Sequence, residues 1–551
     1  MLGIGFQDLE SLITKICYIA GTPGISFGVL HGGNVIYRGG LGLHNVDAQL
    51  NANNETIYTI ASLTKAFTAA MVGVLVDEGR LNWTTQLHDV VPAFQRRDAA
   101  ENVTISDLLS HRSGLPSYDS LWLLSDNKIV LSRAEMISTF NYVPVAAPLR
   151  SEFIYNNIAY AALGQVIETV SGTDYASFLQ DRILKPLNMS RTYYTSLPLG
   201  DSNVATPYAT LGNSTPFQIP QPIFGRDIAL GPAGGIRSTV SDMLTFYDAL
   251  IDAAHAQINK LAGTNPQNPL KQLEHLWRGM VSIPSPTVRE LSYASGWMRA
   301  QLPAPLADSG PGFNPMFGHR WSSRLALFHG GTIPGFTSFS IIFPETHSAI
   351  IVLSNSLPCV DSVRLVGQLL AERLFNKTDN PSDPINETAY IEYAELTSKK
   401  NTLVMSNIKE DLLRHRTTKI PTYPLNTYVG KYRNAAGNYV IKIRESPTGY
   451  LQISFMGLES DTFDLQPYQS NSFFWHVSYD DLAQRGRYAI WPKQYYIIEF
   501  GNSNDTPVGM GISEPKITYL RWKHDFSFEN DGEMFRKETS EESLHSLPQE
   551  L

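Results

Sequence analysis

TIASLTKAFTAAMVGVLVDEG (residues 59–79) is the stretch of this sequence that determines the predicted fold class. A β-like segment, Ile57 to Ile60, leads directly into an apolar segment with helical periodicity that ends near Gly79. Ser62 and Lys65 stand at the start of this predicted helix on one face, so the lysine can hydrogen-bond the serine. The free N–H groups and the dipole of a helix start stabilise an alkoxide or an oxyanion. The stretch therefore predicts a serine nucleophile with a lysine as its proton acceptor.

The Ser-x-x-Lys spacing alone does not select this serine. The sequence contains four copies of the motif, which begin at Ser62, Ser125, Ser406 and Ser513. Only Ser62 lies between a β-like segment and a long apolar helix. The alternative is that Ser62 only caps the helix and that Lys65 is a solvated residue, so further motifs are needed to decide.

The triplet Tyr155-Asn156-Asn157 supplies a second pair of candidate groups. A phenol has an ordinary pKa of about 10, and a nearby lysine ammonium lowers it. Tyr155 is therefore a candidate for taking the serine proton and returning it to a leaving group, and the Asn157 amide for holding substrate or the lysine. Ser125-Asp126-Asn127 is a competitor, because it matches the Ser-Asp-Asn element found in some Ser-x-x-Lys enzymes.

A third candidate element is a strand that offers backbone groups to a ligand. His329-Gly330-Gly331 follows the apolar segment RLALF, and glycines let a strand approach a ligand closely. The same triplet at residues 31–33 is typical of a hairpin turn. Taken alone, His329 is also compatible with an ordinary histidine at a strand end.

Two other interpretations of the chain remain open. Gly24-Ile25-Ser26-Phe27-Gly28 matches the nucleophile elbow of an α/β-hydrolase. That elbow leads from a strand into a helix, whereas VLHGGNVIYRGG follows here and indicates another strand and turn, which disfavours Ser26. The second alternative is a pseudoenzyme whose pocket only binds a ligand.

Length, charge and cysteine content narrow the class of protein. With 551 residues, two or more domains are expected. A net charge of -9 gives no general attraction to nucleic acid or to anionic membranes. Cys17 and Cys359 are too few for a disulfide scaffold or a Cys-rich metal site. Since we find neither a signal peptide nor an apolar run long enough to span a bilayer, we expect a cytoplasmic protein without nucleic-acid or membrane partners. The sequence does not indicate an oligomeric state.

The pattern of elements predicts four regions. Residues 1–375 form an antiparallel sheet that opens near residue 25 and resumes after residue 290, with helices between. Residues 376–425 are polar and are predicted as a partly helical linker. Short alternating strands in 426–525 predict a small β-barrel, and the acidic residues 526–551 are predicted to be disordered.

Five blocks in a fixed order closely resemble the broad family of class C β-lactamases, D-aminopeptidases, related esterases and fungal transesterases. The blocks are TIASLTKAFTAAMVGVLVDEG, TISDLLSHRSGLP, FIYNNIAYAALGQVIETVSG with ILKPLNMSRTYY, GPAGGIRSTVSDM, and HGGTIPGFTSFSIIFP. The resemblance implies an α/β (α+β) fold of the β-lactamase/transpeptidase type, with the site at the junction of sheet and helices and with no metal or organic cofactor. Residues 426–525 resemble the lipocalin-like domain that follows the catalytic domain in some members.

The resemblance also implies roles for particular residues. Ser62 attacks an acyl carbonyl, and Lys65 and Tyr155 shuttle its proton. Tyr155 is preferred over Ser125 because it follows the His-x-Ser-Gly-Leu block and opens a helix, as in the family. The backbone N–H groups of Ser62 and Thr332 hold the oxyanion, and the substrate-binding residues are Asn157, His329, Gly330, Gly331 and Thr332. His329 stands where β-lactamases have lysine, so we expect a small-molecule ester, thioester or amide substrate, including D-amino-acid amides, rather than a β-lactam.

Overall fold

The computed structural model describes residues 5–194, 197–198, 200–225, 227–258, 267–306, 316–318, 321, 323–379, 385–502, 516–528 and 531–539. The chain divides into two compact units. The first unit comprises Met1–Ser117 and Leu131–Asn401. The second unit comprises Tyr118–Val130 and Thr402–Leu551.

Strands and helices alternate along the first unit, and short strands dominate the second. The strands are β1 (Gly24–His31), β2 (Asn34–Asn45), β3 (Leu50–Asn51), β4 (Tyr58–Thr59), β5 (Tyr208–Thr210), β6 (Pro216–Gln218), β7 (Arg237–Ser238), β8 (Val281–Ser282), β9 (Leu291–Tyr293), β10 (Met298–Gln301), β11 (Leu325–Ile333), β12 (Phe336–Phe343), β13 (Ser348–Ser354), β14 (Ser356–Leu357), β15 (Gly430–Arg433), β16 (Val440–Glu445), β17 (Leu451–Phe455), β18 (Thr462–Pro467), β19 (Ser472–Phe474), β20 (Ile497–Gly501), β21 (Tyr519–Trp522) and β22 (Glu533–Lys537). The helices are α1 (Glu10–Ala20), α2 (Thr64–Asp77), α3 (Leu87–Val90), α4 (Ile105–Leu109), α5 (Asp119–Trp122), α6 (Arg133–Tyr142), α7 (Asn157–Ser171), α8 (Tyr175–Leu179), α9 (Gly231–Gly234), α10 (Val240–Gln257), α11 (Leu273–Leu276), α12 (Ser362–Asp379), α13 (Glu387–Thr402), α14 (Val404–Arg414) and α15 (Tyr479–Gln484). Among the described helices, none has the length and apolar character needed to cross a membrane.

The first unit contains a nine-stranded antiparallel sheet in the order β3-β2-β1-β13-β12-β11-β10-β9-β8. A Cβ on Gly28 of β1 would lie 2.7 Å from side-chain atoms of α10, and a Cβ on Gly367 of α12 would lie 2.6 Å from Phe339 of β12. Gly28 pairs with Ile351 across β1 and β13, and Ile351 pairs with Ser340 across β13 and β12, so these three residues point to one face of the sheet. Phe339 precedes Ser340 in β12 and therefore points to the other face. Because side chains alternate along a strand, α10 and α12 cover opposite faces. This arrangement confirms the predicted fold class of an antiparallel sheet flanked by helices.

A helical region lies beside the sheet in the same unit. Helix α2 is buried from Thr64 to Leu75, as expected for a helix that is apolar on all sides. It packs against α7, which also contacts α4 and α6. Helix α7 begins where the Asn156 side chain accepts a hydrogen bond from the N–H of Ala159, and it ends at Gly172 in the left-handed conformation, with φ of 72°. The starts of α2 and α7 carry the candidate site residues.

The second unit contains a closed antiparallel barrel of strands β15 to β22 in sequence order. Strand β15 pairs with β22, with Tyr432 opposite Lys537, so the sheet has no free edge at this point. Large buried aromatic side chains pack against one another in this unit; they include Phe455, Trp475, Phe500, Trp522 and Phe535. The predicted C-terminal β-barrel is therefore confirmed.

Two predicted boundaries differ from the structure. The barrel does not end at residue 525, because its last strand, Glu533–Lys537, lies in the region 526–551 that was predicted to be disordered. This strand, EMFRK, was not predicted because it is mostly polar and only one of its side chains, Phe535, is fully buried. Residues 540–551 lie outside the described residues. The predicted linker 376–425 contains the end of α12, all of α13 and all of α14.

The segment Tyr118–Val130 belongs to the second unit although the residues on either side of it belong to the first. The Ser125 hydroxyl donates to Asp461 Oδ1 at 2.8 Å, and the Ser125 N–H lies 3.1 Å from the same carboxylate. Arg487 forms an ion pair with Asp461, which is fully buried. The Ser120 hydroxyl lies 3.1 Å from His524 Nδ1. Polar contacts therefore bind this segment to residues that follow it by more than three hundred positions.

Candidate active site

Ser62 lies in a short 3₁₀ turn, Ala61–Leu63, that joins β4 to α2. Ala61 has a φ of 46°, a left-handed conformation that is costly for a residue with a side chain and is often found at functional sites. The turn is fixed on its N-terminal side, because the Ile60 N–H donates to Ile236 O at 3.0 Å. Ser62 thus stands between a strand and the start of a helix, as the sequence predicts.

Lys65 is fully buried in the first turn of α2. Its Nζ lies 3.1 Å from Ser62 Oγ, 2.8 Å from Asn157 Oδ1 and 2.9 Å from Ala233 O. Asn157 Oδ1 and Ala233 O can only accept, so each takes an N–H of the lysine. The third substituent direction of the nitrogen points to Ser62 Oγ. In the ammonium form this direction carries an N–H, and in the amine form it carries the lone pair. The amine form can therefore receive the serine proton.

Tyr155 faces the same serine from the start of α7. Its hydroxyl donates to Ser62 Oγ at 2.9 Å. Lys65 Nζ lies 4.8 Å from the centre of the Tyr155 ring and 5.4 Å from that of Tyr160, within the range of cation–π attraction. The structure therefore brings Ser62, Lys65, Tyr155 and Asn157 together, although these residues come from two separate sequence motifs.

Strand β11 approaches the Ser62 turn very closely at Gly331. A Cβ at this position would lie 2.6 Å from Ile60 O and 3.1 Å from Ser62 N. The Ser338 hydroxyl on the neighbouring strand β12 donates to Ile60 O at 2.8 Å, which ties the turn to the sheet. Thr332 is the next residue of β11, and its side chain is exposed. Glycine is favoured here because any side chain would push the strand and the turn apart.

His329, which was predicted to bind substrate, is 2% exposed. Its Nδ1 lies 2.5 Å from Gly330 O, so Nδ1 carries the proton and Nε2 accepts a hydrogen bond from the Tyr293 hydroxyl at 3.0 Å. Burial, followed by the charge of Lys65, lowers the pKa of His329 to about 3. The imidazole is therefore neutral at physiological pH, and little of its surface is available to a ligand.

The turn that follows α4 holds the residues around Tyr155. The Asn156 side-chain amide donates to Leu115 O at 2.7 Å and to Pro116 O at 3.1 Å. The Asn157 N–H donates to Ser117 Oγ at 2.9 Å. Most of this turn lies in the block TISDLLSHRSGLP, and the sequence does not predict a role for its residues, because hydrogen bonds between distant segments leave no local signal.

Asp107 anchors the base of the same turn. It is fully buried, and its carboxylate accepts from Arg112 Nε at 2.7 Å and from Arg150 NH2 at 2.9 Å. Burial raises the pKa of this carboxyl, but hydrogen bonds from Arg150 and Thr104 outweigh burial and leave the pKa below its ordinary value. The carboxylate is therefore ionised in the folded protein at neutral pH.

The competing serines lie in other surroundings. Ser26 is fully buried in the middle of β1, where its hydroxyl donates to Asn53 O and contacts the Tyr58 hydroxyl. Strand β1 continues into a hairpin with β2 and not into a helix, so the α/β-hydrolase alternative with Ser26 is wrong. Ser125 is bound to Asp461 in the second unit. Ser406 donates to Leu403 O in α14, and Ser513 lies outside the described residues.

Within the described ranges, no group of three or more His, Cys, Asp or Glu side chains is placed to hold a metal ion. The groups around Ser62 are a lysine, a tyrosine, an amide and backbone atoms. This set is suited to proton transfer and to binding an oxyanion.

Comparisons with known proteins agree with the fold. The Beta-lactamase family model matches residues 9–374. Protein Flp of Staphylococcus aureus (strain MW2) is 26% identical over 365 residues, which are 63% of this chain and 63% of Flp. The chain thus spans less than two thirds of the length of Flp. Unguisins hydrolase ungD' of Aspergillus campestris is 23% identical over 448 residues, covering 79% of this chain and 75% of that protein.

A solved structure has a similar fold along nearly the whole chain. The octameric penicillin-binding protein homologue from Pyrococcus abyssi superposes with a TM-score of 0.56 and 20% identity, covering 97% of this chain and 100% of that one. The family match covers most of the chain and includes all the candidate site residues. The chain belongs to the beta-lactamase family of serine hydrolases, whose fold it shares with penicillin-binding protein homologues.

Proposed function

We propose that this protein is a serine hydrolase or acyltransferase that forms a covalent acyl-enzyme at Ser62. The observation that carries the proposal is the position of Ser62 Oγ, 3.1 Å from Lys65 Nζ and 2.9 Å from the Tyr155 hydroxyl, at the start of a buried helix. A capping serine with a solvated lysine would not have this geometry, because Lys65 is fully buried. With two proton-carrying groups on one hydroxyl, one can accept the serine proton and the other can protonate the leaving group.

The acylation step moves one proton and conserves it. Ser62 Oγ attacks the acyl carbonyl carbon while its proton passes to the amine of Lys65. The carbonyl oxygen becomes an oxyanion as the new C–O bond forms. When the carbonyl forms again, the bond to the leaving group breaks and Tyr155 gives its phenolic proton to the departing heteroatom. The Lys65 ammonium then returns a proton to Tyr155, so both residues regain their starting states.

Backbone N–H groups would stabilise the oxyanion. The N–H of Ser62 lies at the start of α2, and Gly331 brings β11 within a few ångströms of it. Thr332, the residue after this close approach, is the second proposed donor. Removal of one such donor from an oxyanion hole costs about 10² to 10³ in rate. Water or another nucleophile completes the turnover by attacking the acyl-enzyme.

The charge of the site favours uncharged or weakly polar acyl substrates. The His329 imidazole is buried and neutral, so this position offers no positive charge to a substrate carboxylate. We therefore propose an ester, thioester or amide, including a D-amino-acid amide, in preference to a β-lactam. One relative of the chain is named a hydrolase, which supports hydrolysis as the outcome.

Covalent labelling tests the proposal. A fluorophosphonate probe should add to the folded wild-type protein, and peptide mass spectrometry should place the adduct on Ser62. Ser62→Ala should abolish both labelling and ester turnover, whereas Ser26→Ala and Ser125→Ala, once shown to be folded, should keep both. A folded wild-type protein that takes no label and turns over no ester, amide or β-lactam would instead indicate the pseudoenzyme.

A further inference from the structure

His111, which the proposed chemistry does not use, accepts hydrogen bonds from the backbone N–H groups of the residues on both sides of Tyr155. It follows α4 with a φ of 56°, a left-handed conformation that residues other than glycine adopt uncommonly and that histidine adopts more readily than most. The Ile154 N–H donates to His111 O at 2.8 Å, and the Asn156 N–H donates to His111 Nδ1 at 3.0 Å. A single residue therefore fixes the backbone before and after the proposed proton carrier.

The His111 ring also packs on the Tyr155 ring. The centres of these two rings are 4.3 Å apart. The His111 ring also contacts the Tyr293 ring, with 4.7 Å between the ring centres. His111 is fully buried. The Tyr155 ring thus has little freedom to move away from Ser62 while this packing is intact.

The protonation state of His111 is defined by its hydrogen bond. A backbone N–H can only donate, so Nδ1 of the imidazole accepts and the proton sits on Nε2. Burial, followed by the charges of Lys65 and His329, holds the pKa of His111 well below its ordinary value. The ring stays neutral, and the Nδ1 acceptor is available throughout the physiological pH range.

We infer that His111 is a positioning residue that holds the Tyr155 hydroxyl on Ser62 Oγ through the Asn156 N–H and the packed ring. The inference rests on the proposed function, because it presumes that Tyr155 transfers the serine proton. A misplacement of about 1 Å of a reacting group can cost on the order of 10²-fold in rate. Loss of the hydrogen bond from the Asn156 N–H should move Tyr155 directly, because this N–H belongs to the peptide group that joins Tyr155 to Asn156.

Two substitutions separate the acceptor from the aromatic ring. His111→Phe keeps a ring but leaves the Asn156 N–H without its acceptor. His111→Asn loses the ring but places a carbonyl oxygen near the position of Nδ1, and asparagine tolerates the left-handed backbone. We expect His111→Phe to lower kcat for a p-nitrophenyl ester by about 10²-fold with little change in KM. His111→Asn should recover much of that loss.

The double variant with Tyr155→Phe distinguishes positioning from general damage to the fold. If His111 acts through Tyr155, His111→Phe should cost little further activity once the phenol is gone. A matched control is His44→Asn, since His44 is a buried histidine of the same unit and has no role in the chemistry. It should leave kcat unchanged. Thermal unfolding of each variant, measured in parallel, shows which samples are folded.

Several results would overturn the inference. Wild-type kcat in folded His111→Phe would do so, as would losses that multiply in the double variant. If His111→Phe does not fold, the His111→Asn variant provides the test. A folded His111→Asn variant with as little activity as Tyr155→Phe would refute a role for the hydrogen-bond acceptor. A folded His111→Asn variant that retains kcat would support that role. Ser62→Ala keeps the two hypotheses apart. If that variant still turns over ester, the proposed function fails; if it is inactive while His111→Phe is fully active, only the present inference fails.

Discussion

Replacing Gly331 by alanine tests whether strand β11 and the Ser62 turn form one reaction site. The backbone of Gly331 is not in the left-handed region, so the substitution adds only a methyl group. That Cβ would lie 2.3 Å from Ser338 Oγ, 2.6 Å from Ile60 O and 3.1 Å from Ser62 N. The Ser338 hydroxyl can rotate away, but the Ile60 carbonyl belongs to the backbone of the turn.

The expected magnitude follows from the contact with Ile60 O. A carbon and a carbonyl oxygen lie comfortably at about 3.3 Å, so the strand and the turn must separate by roughly 0.7 Å. Oxyanion donors work within about 2.7–3.1 Å, and this shift takes one of them out of range. We expect kcat to fall by about 10² to 10³. Overpacking of this kind costs about 1–3 kcal/mol of unfolding free energy, which leaves the protein folded.

The assay compares kcat, KM and thermal unfolding for wild type, Gly331→Ala and a control. Gly39→Ala is the matched control, since it adds a methyl group to another strand of the same sheet, where the nearest atom lies 3.6 Å away. The control should keep wild-type kcat. Gly331→Ala combined with Ser338→Ala should not restore the rate, because the contact with Ile60 O remains. Wild-type kcat and unchanged stability in Gly331→Ala would refute the assignment of β11 to the site.

Three further predictions concern charge and proton transfer. Lys65→Ala and Tyr155→Phe should each lower kcat by several orders of magnitude and the double variant little more, because they share one relay; losses that multiply would mean independent roles. Asp107→Asn should destabilise the protein by about 3 kcal/mol at neutral pH, because two arginines lose their charged partner. Since the folded pKa of Asp107 is depressed, its contribution is present above the unfolded pKa and is lost as pH falls through the folded value, so denaturant titrations should converge in acid. Wild-type protein should show a higher kcat/KM for a short-chain p-nitrophenyl ester than for a cephalosporin, because the buried, neutral His329 offers no positive charge to a substrate carboxylate; equal values for the two substrates would contradict the substrate class.

The proximity of Ser62 and Lys65 was predictable because it depends on local spacing. Ser62 and Lys65 are three residues apart at a helix start, and the helix itself brings them within 3.1 Å. Tyr155 was found from the order of sequence blocks and from the predicted start of α7. The centre of the sheet was predictable because strands such as β13, in which every residue is buried, form short apolar runs in the sequence.

The remaining features of the site depend on contacts between distant segments. The carbonyl of Ala233 contacts Lys65 from 168 positions away, and any residue type offers such a group. His111 looks in sequence like the end of an amphipathic helix, and its left-handed turn is set by tertiary contacts. Strand β22 was missed because a single buried side chain, Phe535, falls in a polar segment.

The membership of Tyr118–Val130 in the second unit limits how the protein can be divided into fragments. The polypeptide enters the second unit at Tyr118, leaves it at Val130 and enters again at Thr402. A protein ended at residue 425 keeps the first of these passages but loses Asp461, so Ser125 loses its carboxylate partner. After cleavage near residue 402, the N-terminal fragment would still carry Ser120 and Ser125, and their hydrogen bonds to His524 and Asp461 should keep it bound to the C-terminal fragment. No single continuous stretch of the chain therefore corresponds to the first unit.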